Sequence, residues 1–162
     1  MSKATRVLIA LIIVAILGFG AFVMLGRPDD QTMIQQALAE SIKASREGRP
    51  GGVMDKLSLN VKVNDEEYKG NSQQIADFIR KSRPEVSFSN TKAIITGDEA
   101  RIISPAHLKA QILTQTMERD LSSVTLVFKR EDDRAYLVFP VKNWKLAEVR
   151  VDPSVIGELT MG

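Results

Sequence analysis

The sequence predicts an α+β domain that follows a single N-terminal transmembrane helix. Three observations predict this arrangement: an uncharged apolar run at 7–25, two amphipathic helical segments between 31 and 84, and a series of alternating segments that continues to 151. The predicted order is helix, short helix, strand and helix, followed by an antiparallel meander. Helical segments followed by a run of strands are typical of the α+β class.

Residues 7–25 form the predicted membrane span. No charged side chain interrupts this run, and a helix of this length covers about 28 Å, which is enough to cross a hydrocarbon core. Lys3 and Arg6 precede the run, whereas Asp29 and Asp30 follow it. Because positive flanking residues stay in the cytoplasm, we expect residues 1–6 to be cytoplasmic and the C-terminal domain to be periplasmic or extracellular.

The alternative interpretation of this run is a cleaved secretory signal peptide. Gly18, Gly20 and Ala21 offer a small-residue cleavage site. However, the apolar run continues beyond Gly20 and is longer than the usual ~7–15 residues of a signal. The chain has no cysteine, so a lipoprotein anchor is excluded. We therefore expect a single-pass anchor that is retained in the cell membrane.

The exported part has balanced charge. The chain has 22 Lys and Arg against 20 Asp and Glu, and two of the basic residues, Lys3 and Arg6, precede the span. Nucleic-acid binding needs an excess of basic residues to neutralise phosphates, so no nucleic-acid partner is expected. The exported length, about 130 residues, corresponds to one domain. We place this domain at 31–152, after a linker at 26–30 and before a tail at 153–162.

The first predicted helix covers residues 31–47, where apolar and small residues recur at helical spacing. Asp29 or Asp30 is expected to cap its N-terminus. The glycine- and proline-rich residues 48–52 are expected to end it. Residues 53–57 are predicted to form a short helical turn.

The second predicted helix begins at Asn71 or Ser72 and ends before Pro84. Helical spacing places three apolar residues on one side of it: Ile75, Phe78 and Ile79. This side is expected to face the sheet.

The remaining segments are predicted as strands because apolar and polar residues alternate in them. In chain order these strands cover residues 59–63, 86–88, 93–96, 100–113, 124–128, 136–141 and 144–151. Leu59, Val61 and Val63 are expected on the buried side of the first strand. We expect the strands to form an antiparallel sheet.

Turn residues divide these strands. Gly97 and Asp98 predict a hairpin turn, and Pro105 predicts a bulge or an edge within the strand that follows. The polar residues 114–122 and the charged residues 130–134 are predicted as breaks between strands.

This order of elements resembles the nuclear transport factor 2-like superfamily, also called SnoaL-like. The resemblance covers residues 31–152 and rests on four segments: SLNVKVND (58–65), QQIADFIRKSRPEVSFSN (73–90), GDEARI (97–102) and KNWKLAEVRV (142–151). It implies a cone in which a curved sheet wraps over three helices. Enzymes of the superfamily place an Asp, His or Tyr inside the cone as acid or base. Several membrane-tethered members are instead assembly components, so the fold alone does not assign a function.

Four residues would supply acid–base chemistry if the domain were an enzyme: Tyr68, Asp77, His107 and Tyr136. Each of them also has a structural explanation. Alternation places His107 on the outer side of its strand, Asp77 flanks the apolar side of the second helix, and the tyrosines fit a core or a rim. We therefore expect no catalytic residue.

No metal or cofactor is expected. The absence of cysteine removes thiolate ligands, and His107 is the only histidine. The acidic runs at 65–67 and 131–133 lack the spaced oxygen ligands and the central glycine of a calcium loop. Both runs are expected at solvated hairpin tips.

Six apolar residues would line a pocket at the mouth of the cone or form its core: Leu38, Ile42, Leu57, Phe78, Phe128 and Trp144. We expect a non-catalytic binding or assembly module that residues 7–25 hold at the membrane. Its partner would be another envelope protein, a second copy of the chain or a small apolar ligand. The alternative is a SnoaL-like isomerase or hydratase that acts on a hydrophobic small molecule.

Overall fold

A computed structural model describes residues 28–67, 71–112, 114–133 and 141–152 of the chain. The helices of this part are α1 (Asp30–Arg46), α2 (Pro50–Met54) and α3 (Ser72–Ser82). Its strands are β1 (Leu57–Val63), β2 (Glu66–Glu67), β3 (Glu85–Phe88), β4 (Ile94–Thr96), β5 (Glu99–Ile112), β6 (Gln115–Asp133) and β7 (Val141–Val151). The fold is therefore α+β, as predicted, with the helices packed on a curved sheet.

The sheet has the strand order β2-β1-β7-β6-β5-β3, and β4 pairs with the first residues of β5. β1 runs parallel to β7, with Leu57 opposite Leu146 and Val63 opposite Val149. The other pairs are antiparallel, so the prediction of a wholly antiparallel sheet is wrong and the sheet is mixed. Because most of the domain separates β1 from β7, no tight turn forces these two strands to run in opposite directions.

The helix boundaries follow local capping chemistry. The Asp29 side chain caps α1 by accepting a hydrogen bond of 2.8 Å from the backbone N–H of Thr32. Asn71 caps α3 in a capping box with Gln74, and Arg83 ends α3 in the left-handed conformation. The short helix begins at Pro50, earlier than the predicted 53–57, because proline at the first helical position has its backbone angle already set.

The core lies between α1 and the inner face of the sheet. Its large, fully buried side chains include Ile34 of α1, Ile102 of β5 and Phe128 of β6. In the sheet, Ala100 lies opposite Phe128 and Ile102 lies opposite Leu126. The small Ala100 therefore leaves room beside the large Phe128, whereas Ile102 and Leu126 are of similar size.

Two of the predicted strand features are confirmed. Gly97 has a positive φ of 61° in the turn between β4 and β5. The pairing of β5 with β6 shifts register between Ser104 and Ala106, which places a bulge at Pro105.

Three other strand predictions are wrong. Residues 114–122 and 130–133 were expected to break the sheet, yet only residue 114 is a turn, and β6 runs through 115–122 and 130–133 because its backbone pairs with β5 and then with β7. Leu59 was expected to be buried but is 98% exposed. The register of β1 on β7 shifts between Leu57 and Lys62, and this irregularity carries Leu59 out into solvent.

Some predictions fall outside the described residues. These are the cytoplasmic end at 1–6, the membrane span at 7–25, most of the strand at 136–141, and the tail at 153–162. Among the described helices, none is long and apolar enough to cross a bilayer.

Candidate functional site

The six residues predicted to form a pocket or core separate into two groups. Leu38, Phe128 and Trp144 are buried in the core cluster, and Ile42 packs against it. Leu57 is half-buried at the start of β1, whereas Phe78 is 48% exposed on α3. Most of the set therefore fills the interior of the domain.

The four acid–base candidates are not brought together by the described residues. His107 lies on the outer face of β5, where its Nδ1 is 2.7 Å from a carboxylate oxygen of Asp120. The Asp77 carboxylate accepts hydrogen bonds from Gln73 and Arg80 on its own helix. Tyr68 and Tyr136 lie outside the described residues.

A cleft of about 460 Å³ opens between α1, the turn that follows α2, and the first residues of β7. We call it the α1–β7 cleft. Its apolar wall consists of Met33, Ala37 and Trp144, and its polar wall includes Gln36, Glu40, Asp55, Lys56, Asn143 and Lys145. The cleft therefore combines a small apolar strip with many hydrogen-bonding groups of both charges.

Ion pairs and hydrogen bonds fix the side chains of the polar wall relative to one another. Lys56 Nζ lies 2.8 Å from Glu40 Oε2, which links α1 to the start of β1. The Lys145 ammonium donates a hydrogen bond to the backbone carbonyl of Asp55. Glu40 is 62% exposed, so this wall remains accessible to a partner from solvent.

A charged cluster of Asp30, Arg130 and Trp144 lies at the N-terminal end of α1. The Arg130 guanidinium contacts Asp30 and lies 4.8 Å from the centre of the Trp144 ring. The Trp144 Nε1–H donates a hydrogen bond of 3.0 Å to Asp30. The Asp30 carboxylate is therefore bound by a cation through one oxygen and by the indole N–H through the other.

The most deeply buried carboxylate among the described residues lies on the opposite face of the sheet. Glu148 of β7 is 8% exposed and pairs with Val127 rather than with the core positions of β6. Two hydrogen bonds from Arg150, of 2.8 and 3.0 Å, lower the pKa of Glu148, and the backbone N–H of Asp65 acts in the same direction. This arrangement joins the β1–β2 turn to β7 and is structural.

The described residues supply no site for metal chemistry. No group of three His, Asp or Glu side chains within them could hold a metal ion. The buried polar or charged side chains of the described residues are Ser82, Ser104 and Glu148. What the arrangement can do is bind a polar partner through charges and hydrogen bonds at the α1–β7 cleft.

Sequence reasoning did not find the Asp30–Arg130–Trp144 cluster. Asp30 was expected only as a helix cap, and Arg130 was assigned to a turn. These two residues are 100 positions apart in the chain, so no local spacing could pair them. The one available signal was the single tryptophan of the sequence, because a buried indole N–H needs a hydrogen-bond acceptor.

Searches with the sequence found no matching family model and no matching curated protein. Solved structures do match the fold. A protein from Cytophaga hutchinsonii described as nuclear transport factor 2-like matches with a TM-score of 0.57 and 13% identity, over 76% of this chain and 97% of that one. A nuclear transport factor 2-like superfamily protein from Salmonella enterica matches with a TM-score of 0.54 and 12% identity, over 75% and 89% of the two chains.

A candidate ketosteroid isomerase from Shewanella frigidimarina matches with a TM-score of 0.52 and 16% identity, over 74% of this chain and 94% of that one. The three matches agree on one fold. The chain has the nuclear transport factor 2-like fold. At these identities the matches indicate the fold alone, because the same scaffold supports different activities.

Proposed function

We propose that this chain is a non-catalytic binding or assembly module that residues 7–25 hold on the exported side of a membrane. The observation that supports the proposal most directly is the filling of the domain interior. Ile34, Leu38, Phe128 and Trp144 occupy the space between α1 and the sheet. Enzymes that this chain resembles need an acid or a base in that space. Among the described residues, the buried polar side chains are instead Ser82, Ser104 and Glu148, and Glu148 lies on the other face of the sheet.

The α1–β7 cleft supports a protein partner rather than a small apolar ligand. Apolar ligand sites are usually enclosed and mostly hydrophobic, whereas Glu40, Lys56 and Lys145 border this cleft. Charges of both signs at an accessible rim favour orientation and specificity in a protein complex. We therefore propose that a segment of another envelope protein binds at the α1–β7 cleft.

The membrane part of the proposal rests on the sequence. The apolar run ends at Leu25 and α1 begins at Asp30, so only four residues, 26–29, separate them. A linker of this length keeps the domain within about 15 Å of the bilayer surface. We therefore expect the partner to reach the domain close to the membrane surface.

The proposal is tested by photocrosslinking in cells. A crosslinking amino acid replaces Gln36 in the full-length chain, and the membrane-extracted products are identified by mass spectrometry. We expect one dominant partner and recovery of the intact N-terminal peptide. The variant Glu40→Lys should lower the yield of that product at least fivefold, because it reverses one charge of the cleft wall.

The matched control is Glu85→Lys. Glu85 is also a partly exposed glutamate that pairs with a basic side chain, Arg46, but it lies on β3 and does not line the cleft. Equal yields from Glu40→Lys and Glu85→Lys would contradict the assignment of the cleft. Loss of the N-terminal peptide from the mature chain would contradict the anchor.

A further inference from the structure

A second depression continues the α1–β7 cleft toward the C-terminal end of α1. Its volume is about 330 Å³, and it shares Glu40, Asp55 and Lys56 with the cleft. Beyond these shared residues it is lined by Lys43, Ala44, Arg49 and Gly52. The cleft and the depression therefore form one path along α1, which starts at an apolar wall and ends beside cations.

The C-terminal ends of α1 and α3 meet beside this depression. The Ser45 hydroxyl of α1 donates a hydrogen bond of 2.7 Å to the backbone carbonyl of Pro84, which follows α3. The Arg83 side chain passes close to Gly48, where an added Cβ would lie 3.3 Å from the Arg83 Nε. Because the two helices end together, they gather six cations, which we call the basic end: Lys43, Arg46, Arg49, Arg80, Lys81 and Arg83.

The basic end holds more cations than carboxylates. Among the described residues, three carboxylates pair with it, each with one arginine: Glu85 with Arg46, Glu47 with Arg49 and Asp77 with Arg80. The other three cations are exposed and form no ion pair within the described part of the chain: Lys43, Lys81 and Arg83. An excess of positive charge therefore remains for a partner to neutralise.

Stabilisation of the helices explains only part of the basic end. Cations in the last turn of a helix interact favourably with its C-terminal carbonyls, which accounts for those that lie within α1 and α3. Arg83 lies beyond α3 with a φ of 42°, a left-handed conformation in which glycine is the usual residue. Arginine at this position costs conformational free energy. Its charge is thus kept against the local backbone preference.

The ion pairs of the basic end favour a peptide over a membrane surface. The carboxylates that pair with Arg46, Arg49 and Arg80 orient three guanidinium groups, and an oriented guanidinium binds a further carboxylate with geometric specificity. The same three carboxylates interrupt the positive surface. They repel a continuous anionic surface such as a lipid bilayer, whereas a peptide with separate carboxylates can avoid them.

We propose that the basic end binds acidic residues of the same partner segment whose apolar residues occupy the α1–β7 cleft. This inference rests on the proposed function and names the partner's recognition element. Met33 in the apolar wall and Lys43 at the basic end are separated by about 15 Å along α1. An extended segment covers that distance in about five residues. The partner segment therefore carries apolar residues and, about five residues away, a group of acidic residues.

The test uses the full-length chain in phosphatidylcholine nanodiscs and three fluorescently labelled peptides. The first peptide carries Phe-Leu and, five residues later, four Glu. The second has Gln in place of each Glu, and the third has its four Glu directly beside Phe-Leu. We expect the first peptide to bind at least tenfold more tightly than the second and at least threefold more tightly than the third. Its affinity should fall as salt rises, because the contacts are charged.

A triple variant removes the three cations that have no ion pair and leaves no carboxylate unpaired: Lys43→Gln, Lys81→Gln and Arg83→Gly. The change at Arg83 suits the left-handed backbone, so we expect the variant to fold. Its affinity for the first peptide should fall at least fivefold. If it does not fold, as judged by Trp144 fluorescence, the ranking of the three peptides on the unaltered chain decides the question.

The matched control lowers the net charge equally by changing three exposed lysines that line neither the cleft nor the depression: Lys62→Gln, Lys92→Gln and Lys129→Gln. It should leave the affinity for the first peptide nearly unchanged. An equal loss from the triple variant and this control would overturn the inference, because net charge alone would then explain the binding.

Two other results would also overturn it. The first is equal affinity for the Glu and Gln peptides, and the second is displacement of the first peptide by phosphatidylglycerol vesicles, which would assign the basic end to lipid headgroups. A partner crosslinked at Gln36 with a yield that the triple variant leaves unchanged would retain the proposed function and reject this inference alone. Peptide binding without any partner crosslinked at Gln36 would reject the proposed function and retain the basic end as a surface for acidic peptides.

Discussion

The Trp144 indole donates its hydrogen bond to Asp30 across 114 positions of the chain. Trp144 is 3% exposed and belongs to the core of the sheet, whereas Asp30 is in the first turn of α1. Arg130 binds the same carboxylate through its guanidinium. The N-terminal end of α1 is therefore fixed to β6 and β7 by a polar contact at the border of the apolar core.

Asp30→Ala should lower the free energy of unfolding by about 1–2 kcal/mol, because it removes the acceptor for the indole N–H and a partner of Arg130. Urea unfolding followed by Trp144 fluorescence measures the effect without interference, since this is the only tryptophan. The control is Asp98→Ala, which removes a 63% exposed partner of Arg130 and should cost less than about 1 kcal/mol. If both variants lowered the free energy of unfolding equally, the hydrogen bond from the indole to Asp30 would contribute nothing to stability.

Glu148 should make stability depend on pH in the acid range. Its pKa in the folded protein lies below the ordinary value of 4.5, chiefly because Arg150 donates hydrogen bonds to it. The stabilisation is therefore complete above pH 4.5 and is lost as the pH falls through the lowered value. Glu148→Gln should lower the free energy of unfolding by about 1–2 kcal/mol at pH 7. We expect no more than this because Arg150 is partly exposed and solvent weakens its interaction with Glu148.

Unfolding experiments between pH 3 and 7 check this prediction. The curves of unfolding free energy against pH for the unaltered chain and for Glu148→Gln should converge as the pH falls toward 3. Glu67→Gln on the exposed β2 strand serves as the control and should leave the curve unchanged. Parallel curves for the unaltered chain and Glu148→Gln would contradict the assigned role of Glu148.

Adjacent glycines of α2 should respond in opposite ways to alanine. A Cβ at Gly52 would lie 2.7 Å from the Cβ of Ala44 on α1, whereas a Cβ at Gly51 would meet no atom within 4 Å. Gly52→Ala should cost about 1–3 kcal/mol because α1 and α2 must separate. Gly51→Ala should stabilise the protein by about 0.5–1 kcal/mol because it improves helix propensity. Thermal unfolding of the two variants provides the comparison, and equal melting temperatures would refute it.

Replacing leucine by alanine should have very different effects on stability at the exposed Leu59 of β1 and at the buried Leu126 of β6. Leu59→Ala should change the free energy of unfolding by less than about 0.5 kcal/mol, since the side chain is 98% exposed. Leu126→Ala should cost about 2–5 kcal/mol, since that side chain is 4% exposed. Chemical denaturation measures both. A large loss from Leu59→Ala would mean that this side chain is covered in the full-length protein.

Local chemistry made the helices and the tight turn predictable. The α1 and α3 boundaries follow from Asp29 and Asn71, whose side chains bond to nearby backbone N–H groups. The turn at Gly97 follows from a backbone angle that glycine adopts easily. Each of these features is decided by residues within a few positions of one another, so the sequence is sufficient to locate them.

Long-range pairing made the rest unpredictable. The polar side chains among residues 115–122 lie mostly on the exposed face of a strand that pairs with β5, so the stretch carries little core signal in the sequence. The direction of β1 and the exposure of Leu59 depend on β7, whose paired residues lie 86 to 89 positions later in the chain. Much of the α1–β7 cleft has the same origin, because its walls come from α1, the α2–β1 turn and β7.

The place of β7 in the sheet has a consequence for biogenesis. β7 is the last strand of the described chain, yet it lies between β1 and β6. A chain that is made or exported from its N-terminus therefore carries β1 and the paired half of β6 without their shared neighbour until residue 151 is free. The sheet can close only after nearly the whole chain has emerged, and contacts of such long sequence separation form slowly. Until then both flanks expose strand edges, so the incomplete chain is more prone to aggregate than the finished sheet.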